Sequence, residues 1–269
     1  MTWNPEQYLK FESERFAPFE DLIRLVDRRS DADVIDLGCG TGELTLRLAG
    51  SLPGSRVLGI DNSEEMLQKA QRHIVDSKPL TGGAWVEFKH CSIEELFYND
   101  LPKLVYKWDL IFSNAAIHWV SDHDKLFKCF RDQLKPQGQL AIQMPSGVRN
   151  RAQRIVMTIA GEEPYLSAMN GWLWEFPVLP VDDYVEILFN LGFERITAFE
   201  KVYPHVLESG EAVYEWVSGT TINAYLKKLP ESLHSEFKLK VRKEVIDSYP
   251  GSPVIYPFRR IFISGVKPG

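Results

Sequence analysis

The residues with the clearest chemical potential lie between positions 36 and 43. Asp36-Leu37-Gly38-Cys39-Gly40-Thr41-Gly42 follows a short apolar run and precedes a helical stretch. Glycines placed there let the chain turn tightly and let its backbone approach a ligand without a Cβ in the way. A dinucleotide fingerprint has the pattern G-x-G-x-x-G/A. Here the third glycine comes one residue early, and Glu43 stands where that pattern wants Gly or Ala. Glu43 would set negative charge beside a pyrophosphate, so NAD fits badly. A P-loop is excluded, because no Gly-Lys-Ser/Thr follows. A ligand with a positive centre and no phosphate fits better. Asp36 could face an ammonium, N–H groups at the helix start could hold a carboxylate, and Asp61, at the end of a second apolar run, is placed to accept both hydroxyls of a ribose. S-adenosylmethionine has all three groups, plus a sulfonium. The alternative is a tight strand-to-helix turn that binds nothing.

A second group of candidates follows position 113. His118 and Trp119 come after a fourth apolar run. One reading sets Trp119 against a substrate and His118 near the reacting centre; the other makes both packing residues. His118 and His123 lie five apart with no partnering Glu, a spacing that does not make a metal site. Arg149, Arg151 and Arg154 stand just after a fifth apolar run. An arginine fork suits a carboxylate, and the competing reading is a solvated helix face. Tyr165, Trp172, Trp174 and Phe176 lie among prolines, in what reads as a loop where function concentrates. The lysines at 227–228 and the charges from Glu236 to Lys243 read as exposed helix surface. Cys39, Cys91 and Cys129 are dispersed, with no Cys/His ligand spacing, which argues against structural zinc and for a reducing, cytoplasmic setting.

These residues need a frame. Asn4-Pro5-Glu6 starts a helix that should run to about Asp27, broken near Pro18. Short strands are expected at 34–37, 56–60, 85–88, 108–113 and 139–143, with helical stretches between them. One of those helices is expected to be capped by Asn62 with Glu65 in a capping box; another spans 122–134 and ends before Pro136-Gln137-Gly138. Such alternation argues for a parallel sheet covered by helices on both faces. Ligands then bind outside the strand C-termini, where strand order reverses. After Pro145 the rhythm changes. A helix at 182–191, a strand at 194–202, a mostly helical stretch at 209–248 and a last strand at 258–264 are expected. The later helices read as a lid over the open sheet edge.

The 269 residues suffice for one large α/β domain or a core with a smaller cap. Apolar residues make up 44% and charged residues 25%, which excludes a disordered or collagen-like chain. The net charge is −6, a poor balance for general nucleic-acid binding, so no such partner is expected. No apolar stretch reaches the length of a membrane span, and the N-terminal residues lack the basic-then-apolar pattern of a secretory signal.

Asp36 to Gly42, Asp61 and the stretch Ser113-Asn114-Ala115-Ala116-Ile117-His118-Trp119 resemble class I S-adenosylmethionine-dependent methyltransferases. Further stretches are similar to the bacterial trans-aconitate methyltransferases: Trp3-Asn4-Pro5, Tyr8-Leu9, Phe11, Glu14-Arg15, Gln143-Met144-Pro145, Glu215-Trp216-Val217, Tyr225-Leu226, and Arg260 before Ile261-Phe262-Ile263. The resemblance covers nearly the whole chain. It implies a Rossmann-like, doubly wound mixed sheet of seven strands with the last antiparallel, and a helical cap. The expected division is a core over 1–145, a cap over 146–256 that holds one core strand, and a final core strand over 257–269. Three departures stand out. Ser92 occupies the place of an Asp thought to meet the adenine amino group. Thr221-Ile222-Asn223-Ala224 replaces Gly-Leu-Arg-Pro, and Ala17-Pro18 replaces Arg-Pro, so two cations are missing.

The combined reading assigns cofactor contacts to Asp36, Gly38, Cys39, Gly40, Gly42, Asp61, Asn62, Met66, Ser92, Ile93 and Asn114. It assigns acceptor contacts to Tyr8, Arg15, Trp119, Arg149, Arg151, Trp172, Asn223 and Arg260, with no residue as a base and no metal. The expected reaction methylates a carboxylate of a small organic acid. A carboxylate is ionised at pH 7, so transfer needs alignment rather than proton removal. Trans-aconitate itself is expected to be a poor or only moderate substrate. An O- or N-methyltransferase for another metabolite, a dinucleotide-dependent oxidoreductase and a silent binding protein remain as alternatives. The early third glycine speaks against the oxidoreductase.

Overall fold

A computed structural model describes residues 13–76, 82–98, 107–147 and 150–269. Its elements in chain order are α1 (Ser13–Ile23), β1 (Asp33–Leu37), α2 (Glu43–Gly50), β2 (Arg56–Asp61), α3 (Glu64–Asp76), β3 (Trp85–His90), α4 (Ile93–Tyr98), β4 (Trp108–Asn114), a one-turn 3₁₀ helix (Ile117–Trp119), α5 (His123–Gln133), β5 (Leu134–Pro145), α6 (Arg151–Ala160), α7 (Tyr165–Ala168), α8 (Val181–Asn190), β6 (Glu194–Leu207), α9 (Gly210–Val217), a π turn (Ser218–Ile222), α10 (Asn223–Leu226), α11 (Glu231–Ser248) and β7 (Val254–Val266).

The strands form one sheet in the order β3-β2-β1-β4-β5-β7-β6. β1, β2, β3, β4 and β5 pair in parallel, and β7 lies antiparallel to β5. Strand order reverses between β1 and β4, where a doubly wound sheet opens its crevice. The central strands are apolar on both faces: Val34, Ile35, Leu37, Ile111, Phe112, Leu140 and Ile142 are wholly buried. That is the signature of strands covered from both sides.

Two compact units emerge. Among the described residues, one comprises 16–76, 82–98, 107–145, 177–201 and 260–269, and the other 13–15, 146–147, 150–176 and 202–259. The first carries the crevice. The second has its own core, in which Val156, Tyr165, Val213, Tyr225, Phe237, Val241, Val245 and Tyr256 pack together.

Several local expectations are corrected. Asn62 does not cap α3: the cap is Ser63, whose Oγ accepts from the Met66 N–H at 3.3 Å, while Glu65 pairs with Lys69. The 122–134 helix stops at Gln133, and β5 starts at once with Leu134, running through Pro136-Gln137-Gly138. Gln137 adopts φ +60°, and the β4–β5 register shifts between Trp108 and Leu110, so the turn signal marks an irregularity inside a strand. Pro18 lies within α1 and does not end it. Tyr165 belongs to a short helix rather than a loop. The beginning of the expected N-terminal helix lies outside the described residues.

Candidate active site

The site builds outward from the β1–α2 loop. Gly38 and Cys39 donate to the Ile60 carbonyl at 2.8 and 2.9 Å, and Gly42 donates to the Cys39 carbonyl at 3.0 Å. These bonds draw the loop onto the end of β2. Gly42 has φ +78°, and a Cβ there would lie 2.4 Å from the Phe88 ring, so this glycine is required by packing as well as by conformation. Gly40 has φ +55° with nothing within 4 Å of an added Cβ, so its outer face is open to a ligand.

Asp61 is half-buried at the end of β2. Its Oδ2 accepts from the Gly40 N–H at 2.9 Å and its Oδ1 from the Ser63 N–H at 2.8 Å. A carboxylate has about four lone-pair positions, so each oxygen keeps one for a ribose hydroxyl. Asp36 is buried and accepts from Thr45 Oγ1 at 2.6 Å. Burial pushes its carboxyl up to about 7; the nearby Asp61 charge adds to the rise, and the Thr45 bond opposes it. A carboxyl held near neutrality in this way is suited to an ammonium, which would restore its charge. Burial and the same two carboxylates push the Cys39 thiol upward, so it is no nucleophile.

At the end of β3, Ser92 and Glu95 form a reciprocal capping box on α4. Ser92 N donates to Glu95 Oε2 at 2.9 Å, and Glu95 N donates to Ser92 Oγ at 3.0 Å. The Ser92 hydroxyl is therefore partly committed to its helix, while Ile93 beside it is buried. Met66 is buried on α3, and Asn62 is exposed.

β4 and β5 end in an unusual pair. Asn114 and Gln143 are register partners. Asn114 Oδ1 and Gln143 Nε2 are both buried with no hydrogen-bond partner among the described residues. An acceptor and a donor are thus left unanswered on adjacent strand ends, and each such group calls for a ligand or a reason. Arg260, on β7 opposite Pro145, is buried and donates from Nη1 to Gln143 Oε1 at 3.3 Å. His118 is buried, and desolvation, reinforced by the Arg260 charge, drops its pKa to about 3. It is a neutral imidazole packed 4.6 Å from the half-buried Trp119 ring.

The remaining candidates belong to the second unit or lie outside the described residues. Tyr8, Arg149 and the Arg15 side chain are in the latter group. Arg151 donates to the Ser248 carbonyl at 3.0 Å and stacks over the Tyr249 ring at 5.3 Å. With Arg154, Thr158, Glu162, Lys240 and Glu244 it lines an open groove of about 450 Å³. Trp172 packs edge-on against Tyr225, and Trp174 packs against Phe176. Asn223 is exposed at the start of α10, and the hydroxyl of neighbouring Thr221 is buried with no partner among the described residues. Gln143 and His123 were assigned no site role from the sequence. The Gln143 signal was a polar residue at the end of an apolar strand. Nothing in the local sequence marks the partner of His123.

A methyltransferase-domain family model matches residues 28–173, more than half of the chain. The chain is 35% identical over its full length to the trans-aconitate 2-methyltransferase of Deinococcus radiodurans, of which it covers 99%. The chain belongs to the class I S-adenosylmethionine-dependent methyltransferases. It is also 31% identical to the trans-aconitate 2-methyltransferase of Variovorax paradoxus, with 99% of each chain covered. Among solved structures, the YcgJ protein of Bacillus subtilis matches with a TM-score of 0.59 at 15% identity, covering 94% of this chain and 99% of that one. Phosphoethanolamine N-methyltransferase 2 of Haemonchus contortus, in complex with S-adenosyl-L-methionine, matches with a TM-score of 0.53 at 19% identity, covering 96% of this methyltransferase and 53% of that chain. The cofactor is S-adenosylmethionine. The open face at Gly40, the remaining lone pairs of Asp61 and the unanswered Asn114 amide oxygen suit a ligand with hydroxyl and ammonium donors. Glu43 in the first turn of α2 places a negative charge at the helix end where a pyrophosphate would sit. Among the described residues no helix is long and apolar enough to cross a membrane.

Proposed function

We propose that this methyltransferase transfers a methyl group to a carboxylate oxygen of a small organic acid. The observation that carries the reading is the character of the ends of β4 and β5 and of the β7 residue that faces the end of β5. They combine a buried cation, Arg260, an unanswered amide donor, Gln143 Nε2, and a histidine held neutral. A cation and a donor favour an anion. A histidine with a pKa near 3 is a poor base at neutral pH. An amine or phenol acceptor would need a proton removed, whereas a carboxylate arrives already ionised.

In this reading Asp36 holds the ammonium and Asp61 the ribose. The β1–α2 loop frames the methionine end, while Ser92, Ile93 and Met66 flank the adenine. S-adenosylmethionine supplies a methyl group activated by its sulfonium. The protein's share is to bind the acid, orient one oxygen and keep water away; orientation alone is worth roughly 7–11 kcal/mol in favourable cases. The names of the relatives support an acid of the trans-aconitate type. Asn223 and Ala17 stand where two arginines of that family are expected, which favours an acid with fewer charges and leaves trans-aconitate a poor or moderate substrate. Three dispersed cysteines support a reducing, cytoplasmic setting.

The test is a screen of small mono-, di- and tricarboxylic acids for methyl ester formation, read by mass, followed by kcat/KM for the acids that react. Ester formation with a less charged acid, at higher kcat/KM than with trans-aconitate, is the expected result. A clear preference for the tricarboxylate that is lost in Arg151→Ala would overturn the specificity argument. Methylation of amines or phenols alone would overturn the carboxylate reading.

A further inference from the structure

Behind the 3₁₀ turn that bears His118 and Trp119 runs a chain of buried hydrogen bonds. Tyr184, on α8, is wholly buried, and His123, at the start of α5, nearly so. The Leu179 N–H donates to the Tyr184 hydroxyl at 3.1 Å. That hydroxyl lies 2.5 Å from His123 Nδ1, and His123 Nε2 lies 3.1 Å from the Ile117 carbonyl. Only one set of proton positions satisfies every group. A carbonyl only accepts, so Nε2 carries the imidazole proton; Nδ1 then accepts the tyrosine proton. The Ile117 carbonyl also receives the Val120 N–H at 2.9 Å, closing the turn. The Tyr184 hydroxyl is 3.7 Å from Met144 Sδ, and Met144 follows Gln143 on β5.

The pair sits against Phe127, whose ring is 5.4 Å from that of Tyr184 and 6.2 Å from that of His123. Apolar residues at both positions would strip the Leu179 N–H of its Tyr184 acceptor and the Ile117 carbonyl of one of its donors. What apolar residues could not supply is a directed bond to the Ile117 carbonyl. We propose that His123 and Tyr184 are positioning residues of the methyl-transfer site. Through the Leu179–Tyr184–His123–Ile117 chain they fix the turn that presents His118 and Trp119 at the end of β4. The assignment of that turn to the acceptor side rests on the function proposed above.

The experiment compares Tyr184→Phe, His123→Asn and His123→Gln with the wild type. An asparagine amide can replace Nδ1 toward Tyr184, whereas a glutamine amide can reach the Ile117 carbonyl from the position of Nε2. Amide hydrogen exchange is followed at Trp119 and Val120, with the β1 amides as an internal reference. Tyr184→Phe and His123→Asn are expected to speed exchange at the turn by about tenfold or more, with His123→Gln nearer the wild type. With trans-aconitate as the probe acid, kcat/KM should fall about tenfold in Tyr184→Phe, in line with the cost of small misplacements. The S-adenosylmethionine Kd should stay within about twofold of the wild type, because the turn is assigned to the acceptor and not the cofactor. Equal protection of the turn in the Asn and Gln variants would overturn the proposal, and so would a loss of cofactor affinity as large as the kinetic loss. If the wild type methylates no acid at all, the carboxylate reading fails while the exchange ranking still decides the positioning role.

Discussion

The proposed contact of Asp36 with the cofactor ammonium predicts that cofactor binding is proton-linked. The Asp36 carboxyl sits near pKa 7 in a buried site with the Thr45 hydroxyl as partner. Half of the molecules are therefore protonated there at neutral pH. An ammonium brought beside it binds the ionised form, so binding should release about half a proton per site at pH 7. Between pH 7 and pH 5.5 the ionised fraction falls from about one half to about one thirtieth, and apparent affinity should fall roughly fifteenfold. The amino group of the ligand, with an ordinary α-amino pKa of about 7.7–8, stays charged across that window. The same shift has a stability sign. A carboxyl raised from 3.8 to about 7 destabilises the folded protein above its unfolded pKa, by an amount on the order of 4 kcal/mol once pH exceeds about 7. Stability from this group should thus grow as pH falls from 7 toward 4. Asp36→Asn removes both effects: it should bind S-adenosylmethionine more weakly at pH 7, show a flat affinity across the window, and melt no lower than the wild type at pH 8. Titration calorimetry in two buffers of different ionisation enthalpy reads affinity and proton release together. A wild-type affinity that changes less than about twofold between pH 7 and 5.5 would refute the reasoning, as would a slope that survives in Asp36→Asn.

Asp61→Ala should weaken S-adenosylmethionine by about tenfold to a hundredfold, the loss of charge-assisted bonds, with the circular dichroism of the folded protein retained; calorimetry on the folded variant decides. Gly42→Ala should destabilise by about 2–4 kcal/mol in a urea melt, because a positive φ and the Phe88 ring both oppose a Cβ, whereas Gly40→Ala should cost less stability and more cofactor affinity. Single-turnover rates with a bound acid and saturating cofactor should stay nearly level between about pH 8 and 6, since a carboxylate acceptor remains ionised there. A unit slope in log rate over that window would point to an acceptor that must lose a proton.

The core was legible because its signals are local. Apolar runs such as Val34–Leu37 and Leu110–Phe112 end in glycine or polar residues, and their alternation with helices leaves few sheet topologies open. The glycine loop was readable for the same reason: Gly38, Gly40 and Gly42 all take positive φ within five residues. Cap positions were less secure. Asn62 and Ser63 are both good caps, and the choice fell to Ser63 because Asp61 draws the Ser63 N–H to itself. The turn at Pro136-Gln137-Gly138 misled because a strand can absorb an irregularity when its neighbours hold it. The chemistry at the strand ends depends on long-range partners. Gln143 meets Arg260, 117 residues away, and His123 meets Tyr184, 61 residues away, distances over which a sequence pattern carries no information about contact.

The position of β7 has a consequence for how the molecule comes together. β7 lies between β5 and β6, yet it follows both in the chain. Until residues 254–266 are in place, β5 presents an unpaired edge and β6 has no strand beside it. The stretch from Gln139 to Met144 on that edge is almost wholly buried in the finished protein, so during synthesis it is an adhesive surface awaiting its neighbour. The parallel half from β1 to β5 can assemble from contacts closer in sequence, while closure waits for contacts more than a hundred residues apart. Loss of the β7 segment would therefore do more than shorten the chain. It would cut β6 off from the other five strands, and aggregation through the exposed β5 edge should dominate over a merely less stable monomer.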